Sequence, residues 1–282
     1  MIKVACQGAW GSFSHLAGLT FFPEPFSLIE TTSFQNVFSE LSSGNATFGV
    51  IPIENSLVGS IYENYDLLCQ YDIPIRGEVY LRIEHNLLVI PDNTIQPQDR
   101  IAQLSRILSH PKALEQCKLL FKEYPNLSPE PCTDTAGAAR AVAKSGDLSL
   151  GAIASKEAAE FYGLSPLLSS IEDDQQNYTR FLVIGSEPIV HGDPSKISLV
   201  VTLEHKPGSL IAVLSALYQG GGDLTKIESR PVRGHPFEYL FYLDIIHPIG
   251  PSAIREKILP LTRSVKILGE YQAGVLPVHV TK

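Results

Sequence analysis

Polar side chains in this sequence cluster directly after an apolar strand, where they can face a ligand. In "GVIPIENSLVGSIYENYDLL" (49–68), Glu54, Asn55 and Ser56 follow the strand without a break. A carboxylate at the C-terminal edge of a strand points toward the cleft expected there. Asn and Ser are also ordinary turn and cap residues. The stretch therefore predicts either a ligand-facing loop or a turn, and Glu54 is the residue that a turn explains least.

A second stretch, "LSHPKALEQC" (108–117), combines a hydroxyl with a side-chain amide. Ser109 precedes Pro111 in the pattern of a helix N-cap followed by proline in the first turn. Gln116 stands seven residues after Ser109, or two helical turns, so one helix would carry both on the same face. Two interpretations stay open: a cap with a bystander, or two neutral donors that face a ligand.

Threonines occur in two further stretches. "CTDTAGAARAV" places Thr133 and Thr135 at the start of a helix, where either would cap it and where backbone N–H groups are free. "NYTRFLVIG" (177–185) places Thr179 and Arg180 at the start of a buried strand. Threonine there needs no explanation beyond β-propensity. A half-buried arginine needs an anionic partner or a route to water.

The sequence lacks the motifs of several other chemistries. The glycine turn "GAWGSFSHLA", with Ser12 as a possible helix N-cap, does not match GxGxxG or GxxxxGK[ST]. The eight histidines show no HExxH spacing, and no GxSxG is present. We therefore expect a reaction that needs neither a metal nor an organic cofactor.

Charge and composition exclude several classes of partner. The first 196 residues carry thirteen Lys or Arg against twenty-three Asp or Glu, and the remaining 86 carry nine against seven. Nucleic-acid binding requires a basic field, so we expect no nucleic-acid partner. No apolar run approaches the roughly 18 residues of a membrane span. The four cysteines lack metal spacing and the N-terminus opens directly on a strand, so a reduced, cytoplasmic protein is expected.

The order of periodic segments predicts two parts. Residues 2–53 alternate strands and helices as βαβαβ, which indicates an α/β fold with a mainly parallel sheet, and further strand and helix segments follow up to about residue 185. Two lobes with crossings near 76–82 and 170–182 would leave a cleft between them. A Pro- and Gly-bearing linker at 186–196 follows. The remainder reads as βαββαβ, a ferredoxin-like small domain in which "IESRP" ends an edge strand.

Taken in order, several segments resemble one enzyme family. "IPIENSLVGSIYENYDLL", "SHPKALEQC", "DTAGAARAVA", "GAIASKEAAEFYGL" and "NYTRFLVIG" resemble prephenate dehydratase, and "KPGSLIAVL" with "LTKIESRP" resembles the attached ACT regulatory domain. The chain departs from the family where Ala9 replaces a usual Pro, Ser209 a usual Ala and Asp223 a usual Asn. The resemblance implies a two-lobed, periplasmic-binding-protein-like catalytic domain at 1–190 and a ferredoxin-like ACT domain at 197–282. The lobes would comprise about 1–78 with 179–190, and about 79–178.

The implied reaction converts prephenate to phenylpyruvate with loss of CO2 and the ring hydroxyl, in L-phenylalanine biosynthesis. By resemblance, Thr179 donates to the departing hydroxyl, and Arg180 anchors negative charge or the neighbouring loop. Because a threonine hydroxyl is a poor general acid, a protonated Glu54 or water is expected to supply the proton. The implied catalytic residues are Thr179, Glu54, Asn55, Ser109 and Gln116. The implied substrate-binding residues are Ser12, Ser56, Thr135, Arg180 and Phe181.

The resemblance also implies feedback inhibition by L-phenylalanine and a homo-oligomer, either dimer or tetramer. The expected effector site is formed by Gly208, Ser209, Leu210, Asp223, Leu224, Glu228, Ser229 and Arg230, with the segment 228–231 supplied by a paired subunit. Two alternatives remain from the sequence. One is arogenate dehydratase, with an amino group replacing the side-chain keto group. The other is a non-catalytic amino-acid sensor.

Overall fold

The computed structural model of the chain describes residues 1–92, 94–189, 192–232, 238–247 and 251–275. The middle of the predicted linker, the first residue of the strand predicted at "FEYLFYLDIIH" and the last residues of the predicted ACT domain lie outside these ranges. Contacts divide the described chain into two compact units. The first unit contains Met1–Asn64 and Val79–Phe181, and the second contains Tyr65–Glu78 and Leu182–Val275. The domain limits expected from the sequence differ from this division and stay a prediction.

Strands and helices mostly alternate up to residue 185, although successive strands and successive helices also occur. In chain order they are β1 Lys3–Gln7, α1 Phe13–Phe21, β2 Ser27–Thr31, α2 Phe34–Ser42, β3 Phe48–Asn55, β4 Gly59–Ser60, α3 Tyr62–Gln70, β5 Ile75–Arg82, β6 Asn86–Val89, α4 Pro97–Ala102, β7 Arg106–Ser109, α5 Pro111–Glu115, α6 Lys118–Glu123, β8 Ser128–Pro131, α7 Thr135–Ser145, β9 Leu150–Ala154, α8 Lys156–Tyr162, β10 Ser165–Leu168 and β11 Tyr178–Gly185. Among the described residues, every helix is too short or too polar to cross a membrane.

Two sheets contribute to the first unit, giving a mixed α/β fold. In one, β1 lies between β2 and β3 and is parallel to both. The other has the order β10-β6-β9-β7-β8. Its strand β7 is parallel to β8 and β9, whereas β6 is antiparallel to β9 and β10. The predicted parallel pairing is therefore confirmed around β1 and β7, and the antiparallel pairs of β6 and β10 make this sheet mixed. The edge strand β10 was not predicted.

Short polar side chains begin the helices that matter for the site. The predicted cap Ser12 is confirmed, because its side chain accepts the backbone N–H of His15, and Ser33 caps α2 in the same way by accepting the N–H of Asn36. The cap of α7 is Asp134, which accepts the N–H of Gly137 at 2.7 Å. The prediction of a threonine cap there is wrong, and a carboxylate is the stronger acceptor for a helix N-terminus.

The segment that carries Ser109 and Gln116 differs from its prediction. Ser109 ends strand β7, and the cap of α5 is His110. The helix runs only from Pro111 to Glu115 and then breaks before α6. The expected shared helix face for Ser109 and Gln116 is therefore wrong.

The C-terminal elements follow the predicted βαββαβ order. They are β12 Lys196–Thr202, α9 Ser209–Gln219, β13 Asp223–Pro231, β14 Tyr239–Ile246, α10 Pro251–Ile258, a 3-10 turn Leu259–Leu261 and β15 Ser264–Tyr271. The sheet of the second unit has the order β13-β14-β12-β15, all antiparallel, with "IESRP" ending the edge strand β13 as predicted. Apolar residues of β12, β14, α9 and α10 form its core.

Strand β15 also pairs with the start of β5, which belongs to the same unit. Gly269 is the residue opposite Ile75 in this parallel pair. A Cβ added to Gly269 would lie 2.3 Å from the carbonyl oxygen of Ile75. Only glycine allows the two backbones to approach this closely.

A buried ion pair joins β12 to β5 within the second unit. The Lys196 ammonium donates to both carboxylate oxygens of Glu78 at 3.0 Å. The two side chains are only 2% and 1% exposed. The backbone N–H of Gly274 also donates to Glu78 at 2.9 Å, so the carboxylate is well satisfied. Removing one partner would leave a buried charge without its counter-ion.

We predict that Lys196→Met lowers the free energy of unfolding by about 3–5 kcal/mol, because the methionine leaves Glu78 charged and buried. The matched control is Lys206→Met, since Lys206 pairs with Glu204 at the surface and both side chains are more than half exposed. That change should cost about 0–1 kcal/mol. Urea denaturation followed by circular dichroism measures both, and equal losses would contradict the prediction.

Candidate active site

The first unit contains a cavity of about 560 Å³, lined by strand residues of one of its sheets and by segments next to strands of the other, such as His85 before β6 and His110 after β7. Its wall includes six of the residues predicted from the sequence to act on or bind the substrate. These are Ser12, Asn55, Gln116, Thr135, Thr179 and Phe181. Thr179 and Phe181 alternate along β11 and so face the same side of the strand.

Helix N-termini surround this cavity. The first turns of α1, α2 and α7 reach its wall through Phe13, Phe34 and Thr135. The first four N–H groups of a helix have no acceptor within the helix, and the helix dipole makes this end positive. The cavity can therefore hold an anionic ligand with backbone amides in a chain of net charge −8.

A hydrogen-bond network fixes the direction of the Thr179 hydroxyl. The Asn55 side-chain NH2 donates to Thr179 Oγ1 at 2.9 Å and to Asn177 Oδ1 at 2.7 Å. The other end of the Asn55 amide accepts the backbone N–H groups of Leu57 and Val58, each at 3.0 Å. These two bonds prevent the amide from turning over. Thr179 Oγ1 must therefore accept from Asn55, and its own proton is available to a ligand in the cavity.

Arg180 and Glu54 form a pair that does not line the cavity. Arg180 is 3% exposed and donates to Glu54 Oε1 at 3.1 Å. Neither residue belongs to the cavity wall. The expectation that Glu54 supplies a proton to the substrate is therefore not supported, because its carboxylate accepts from Arg180 instead. The buried arginine finds its anionic partner here, so it holds the loop rather than the ligand.

Two other predicted residues also lie outside the cavity wall. The Ser56 hydroxyl donates to the Gln176 carbonyl at 2.7 Å and accepts the Tyr178 N–H at 2.9 Å, so it ties the loop to the start of β11. Ser109 is fully buried and donates to the Ile153 carbonyl at 2.6 Å. Its hydroxyl joins β7 to β9, which explains a serine there without any ligand.

The structure adds residues to the site that the sequence did not indicate. His85, His110 and Asp134 all line the cavity. His85 Nε2 lies 3.0 Å from Gln116 Oε1, and His110 Nδ1 accepts the Lys112 N–H at 3.2 Å. Lone histidines without a ligand spacing carry no functional signal, so only their positions in the fold reveal them.

Burial keeps the cavity histidines neutral. It lowers the pKa of His85, against opposing effects of the Gln116 hydrogen bond and the Glu172 charge. Burial likewise lowers the pKa of His110, which the charge of Asp134 partly opposes. Neither imidazole therefore contributes a positive charge near neutral pH. On the cavity wall the helix N-termini and Lys112 favour an anion, and the carboxylates of Asp134 and Glu63 oppose it.

The predicted effector residues separate into two groups in the second unit. Gly208 and Ser209 lie beside a cavity of about 430 Å³. Ser209 and Leu210 line a second cavity of about 410 Å³ with Tyr239 and Phe241. Asp223, Leu224, Glu228, Ser229 and Arg230 lie on β13 and line neither cavity.

Arg230 is held within its own chain by an ion pair. Its Nε and Nη2 donate to the two carboxylate oxygens of Asp66 at 3.2 and 2.9 Å. On the same strand, Oε2 of Glu228 lies 3.7 Å from Nζ of Lys226. A contribution of 228–231 to the site of a paired subunit stays a prediction. Within the described residues, no group of His, Cys, Asp or Glu is arranged to hold a metal ion.

Comparison with known proteins identifies the family. The model of the family described as prephenate dehydratase matches residues 4–189. The chain belongs to the prephenate dehydratase family. The match includes every residue of the cavity wall.

Curated relatives cover nearly the whole chain. The chain is 38% identical over 279 residues to the bifunctional chorismate mutase/prephenate dehydratase of Stutzerimonas stutzeri, covering 98% of this chain and 74% of that protein. It is 36% identical over 285 residues to the chloroplastic arogenate dehydratase/prephenate dehydratase 2 of Arabidopsis thaliana, covering 96% and 72%.

Solved structures agree with the fold over the same length. GqqA, described as a novel type of quorum quenching acylase, matches with a TM-score of 0.83 and 31% identity over 96% of this chain and 98% of that one. The prephenate dehydratase of Arthrobacter aurescens in complex with L-Phe matches with a TM-score of 0.81 and 25% identity over 96% and 90%.

The hydrogen bonds of Asn55 predict an effect on the direction of the Thr179 proton. Replacing Asn55 by alanine would not test this effect, but replacing it by aspartate does. Asn55→Asp replaces the donating NH2 by a carboxylate oxygen, which should accept the Thr179 proton and turn it away from the cavity. We predict that dehydratase turnover falls by on the order of 10²–10³, as for the loss of one hydrogen-bond donor to a developing negative charge, although Thr179 is intact. Steady-state kinetics with a thermal melt as the folding control measures the effect.

Thr179→Ala should show a loss of similar size, and Thr179→Ser should retain most of the activity because it keeps the hydroxyl. A near-normal rate for Asn55→Asp, or for Thr179→Ala, would contradict a donating role for this hydroxyl.

Proposed function

We propose that this protein is a prephenate dehydratase that converts prephenate to phenylpyruvate, in L-phenylalanine biosynthesis. The observation that carries the proposal is the Thr179 hydroxyl, whose proton is directed into a cavity bounded by helix N-termini. Prephenate is a dicarboxylate with a hydroxyl that must leave. The cavity offers both an anion-binding wall and a donor for a departing oxygen.

The reaction needs no external oxidant or reductant. The bond between the ring and its carboxylate breaks, and CO2 leaves. The electron pair of that bond completes the aromatic ring, and the bond to the ring hydroxyl breaks with the oxygen taking its electrons. A proton converts the departing hydroxide to water. Stabilising this oxygen as it gains charge lowers the barrier more than gripping the ground state does.

Thr179 fits the role of hydrogen-bond donor to the leaving oxygen. An aliphatic hydroxyl is a weak acid, so water is the proton source that this site leaves available once Glu54 is paired with Arg180. Ser12, Thr135 and the amide of Gln116 supply neutral donors to the rest of the substrate. Aromatisation supplies much of the driving force, so positioning is expected to account for much of the catalysis.

The substrate assay separates the candidate functions. We predict that purified protein forms phenylpyruvate from prephenate, detected by its absorbance in alkali, at a kcat/KM above that for arogenate. A preference for arogenate would assign the chain to the other substrate of this chemistry. An acylase assay tests the activity named in the description of GqqA. Binding of an aromatic amino acid without any turnover would favour a sensor.

We further propose a domain division, an oligomeric state and a cellular location for the protein. The region 1–190 would form two periplasmic-binding-protein-like lobes, about 1–78 with 179–190 and about 79–178. The region 197–282 would be an ACT domain, supported by its βαββαβ order. A homo-oligomer, either dimer or tetramer, and a cytoplasmic location remain proposals from the sequence.

Feedback inhibition by L-phenylalanine is proposed at the start of α9. The cavity lined by Ser209, Leu210, Tyr239 and Phe241 combines apolar walls for a phenyl ring with the N-terminus of an eleven-residue helix for a carboxylate. The complex of the Arthrobacter aurescens relative with L-Phe supports an effector of this type. Inhibition requires two states that bind phenylalanine unequally.

Gly208→Val should abolish or weaken this inhibition. Gly208 precedes Ser209, which lines both cavities of this unit; it has φ +85°, and a Cβ there would meet no atom of the described residues within 4 Å, so a valine side chain would project into open space next to the proposed site. We predict that the phenylalanine concentration required for half inhibition rises at least about tenfold. In free energy this rise lies within the range of about 1–3 kcal/mol that is typical of allosteric coupling. Prephenate turnover without phenylalanine should stay close to wild type.

The matched control is Gly163→Val in the first unit. Gly163 also has a positive φ, +68°, and open space at Cβ, so the substitution imposes similar backbone strain. It should leave the response to phenylalanine unchanged. Equal loss of inhibition in both variants would show that strain, and not the effector site, is responsible.

A further inference from the structure

His85 directly precedes strand β6 and is fixed there by hydrogen bonds and packing. Its backbone N–H donates to Glu172 Oε2 at 2.9 Å, and its carbonyl accepts the N–H of Ile171 at 2.9 Å. Glu172 is itself paired with Arg82 at 2.9 Å. The residue is 2% exposed, and its ring meets the edge of Phe13 with centroids 5.6 Å apart. The imidazole therefore has little freedom to move.

The surroundings of the ring select one tautomer. Nε2 lies 3.0 Å from Gln116 Oε1, whereas the buried Nδ1 has no hydrogen-bond partner among the described residues. Burial lowers the pKa of His85, so the ring is neutral and carries one N–H. A proton on Nδ1 would be a buried donor without an acceptor, which is costly. The proton therefore lies on Nε2 and is donated to Gln116 Oε1.

This bond determines which end of the Gln116 amide is free. A glutamine side chain can present either its carbonyl or its NH2, because the two differ only by rotation of the terminal group. The backbone of Gln116 is fixed, since its N–H bonds to the end of α5 and its carbonyl accepts the Asp173 N–H at 2.7 Å. With Oε1 engaged by His85, the NH2 group remains as the part of Gln116 that can donate into the cavity.

We propose that His85 is a positioning residue, which fixes the Gln116 amide so that its NH2 faces an anionic oxygen of the substrate. This inference rests on the proposed dehydratase function. Without His85 the amide would be free to turn its carbonyl toward the substrate, where it would repel a carboxylate. His85 does not transfer a proton in this role. Its contribution is made entirely through Gln116.

The test uses four variants of the full-length protein with prephenate as substrate: His85→Leu, His85→Gln, Gln116→Ala and the double variant His85→Leu/Gln116→Ala. Loss of a hydrogen bond to a charged group corresponds to a fall of roughly tenfold to a hundredfold in kcat/KM, which we expect for His85→Leu. Most of it should appear as a higher KM, because binding is weakened. His85→Gln should keep kcat/KM within about threefold, since its amide can donate from the position of Nε2.

The double variant distinguishes positioning from a separate role. If His85 acts through Gln116, then His85→Leu should cause little further loss once Gln116 is alanine. His247→Leu provides a control for the loss of a buried histidine, because His247 is 6% exposed and lies in the second unit. It should lower the melting temperature without raising KM.

Each outcome is decisive. Additive losses in the double variant, or an His85→Gln enzyme as impaired as His85→Leu, would overturn the inference while leaving the dehydratase function intact. An increase in KM for His247→Leu equal to that for His85→Leu would overturn it as well. Failure of the wild-type protein to turn over prephenate contradicts the proposed function itself, and this inference with it.

Discussion

The fixed orientation of one amide, that of Asn55, is the constraint on which the site depends. Two backbone N–H groups, from Leu57 and Val58, occupy its carbonyl oxygen, so its NH2 must donate to Thr179. A hydroxyl has one proton, and this arrangement leaves that proton for the ligand. The loop that holds Asn55 is in turn tied to the start of β11 by Ser56 and by the pair of Arg180 with Glu54. Residues outside the cavity thus determine the chemistry available inside it.

The proposed site would recognise an anion without a cluster of basic side chains. The N-termini of α1, α2 and α7 reach the cavity, and burial keeps His85 and His110 neutral. Backbone amides at helix starts are fixed in place, so they need not be ordered when the ligand binds. Neutral donors also suit a reaction in which one carboxylate must leave, because a strong ion pair to that group would stabilise the ground state. The hydrogen bond of neutral His85 to Gln116 is a further case, because it leaves a neutral NH2 group to donate into the cavity.

The second unit contains residues from two distant parts of the chain. Tyr65–Glu78 belongs with Leu182–Val275, and the buried pair of Lys196 with Glu78 joins them. Tyr242 reinforces this by donating to the Tyr65 carbonyl at 2.5 Å. Helix α3 and strand β5 therefore begin in one unit and end in the other. A cut at the predicted linker would expose the surface that these contacts bury, so point substitutions in the full chain are the sounder test of regulation.

The sequence by itself determined the order and type of most elements, since apolar periodicity, glycines and capping residues are local signals. It also identified Thr179 and Asn55, through an ordered set of motifs. Tertiary structure alone decided which polar residues face the cavity. Ser109, Glu54 and Ser56 were expected there, but each bonds to protein groups brought near it by folding. His85 joins the site because the residue before β6 and the residue after α5 meet in space. Hydrogen-bond partners far apart in the chain leave no local pattern, and they set the direction in which each side chain donates.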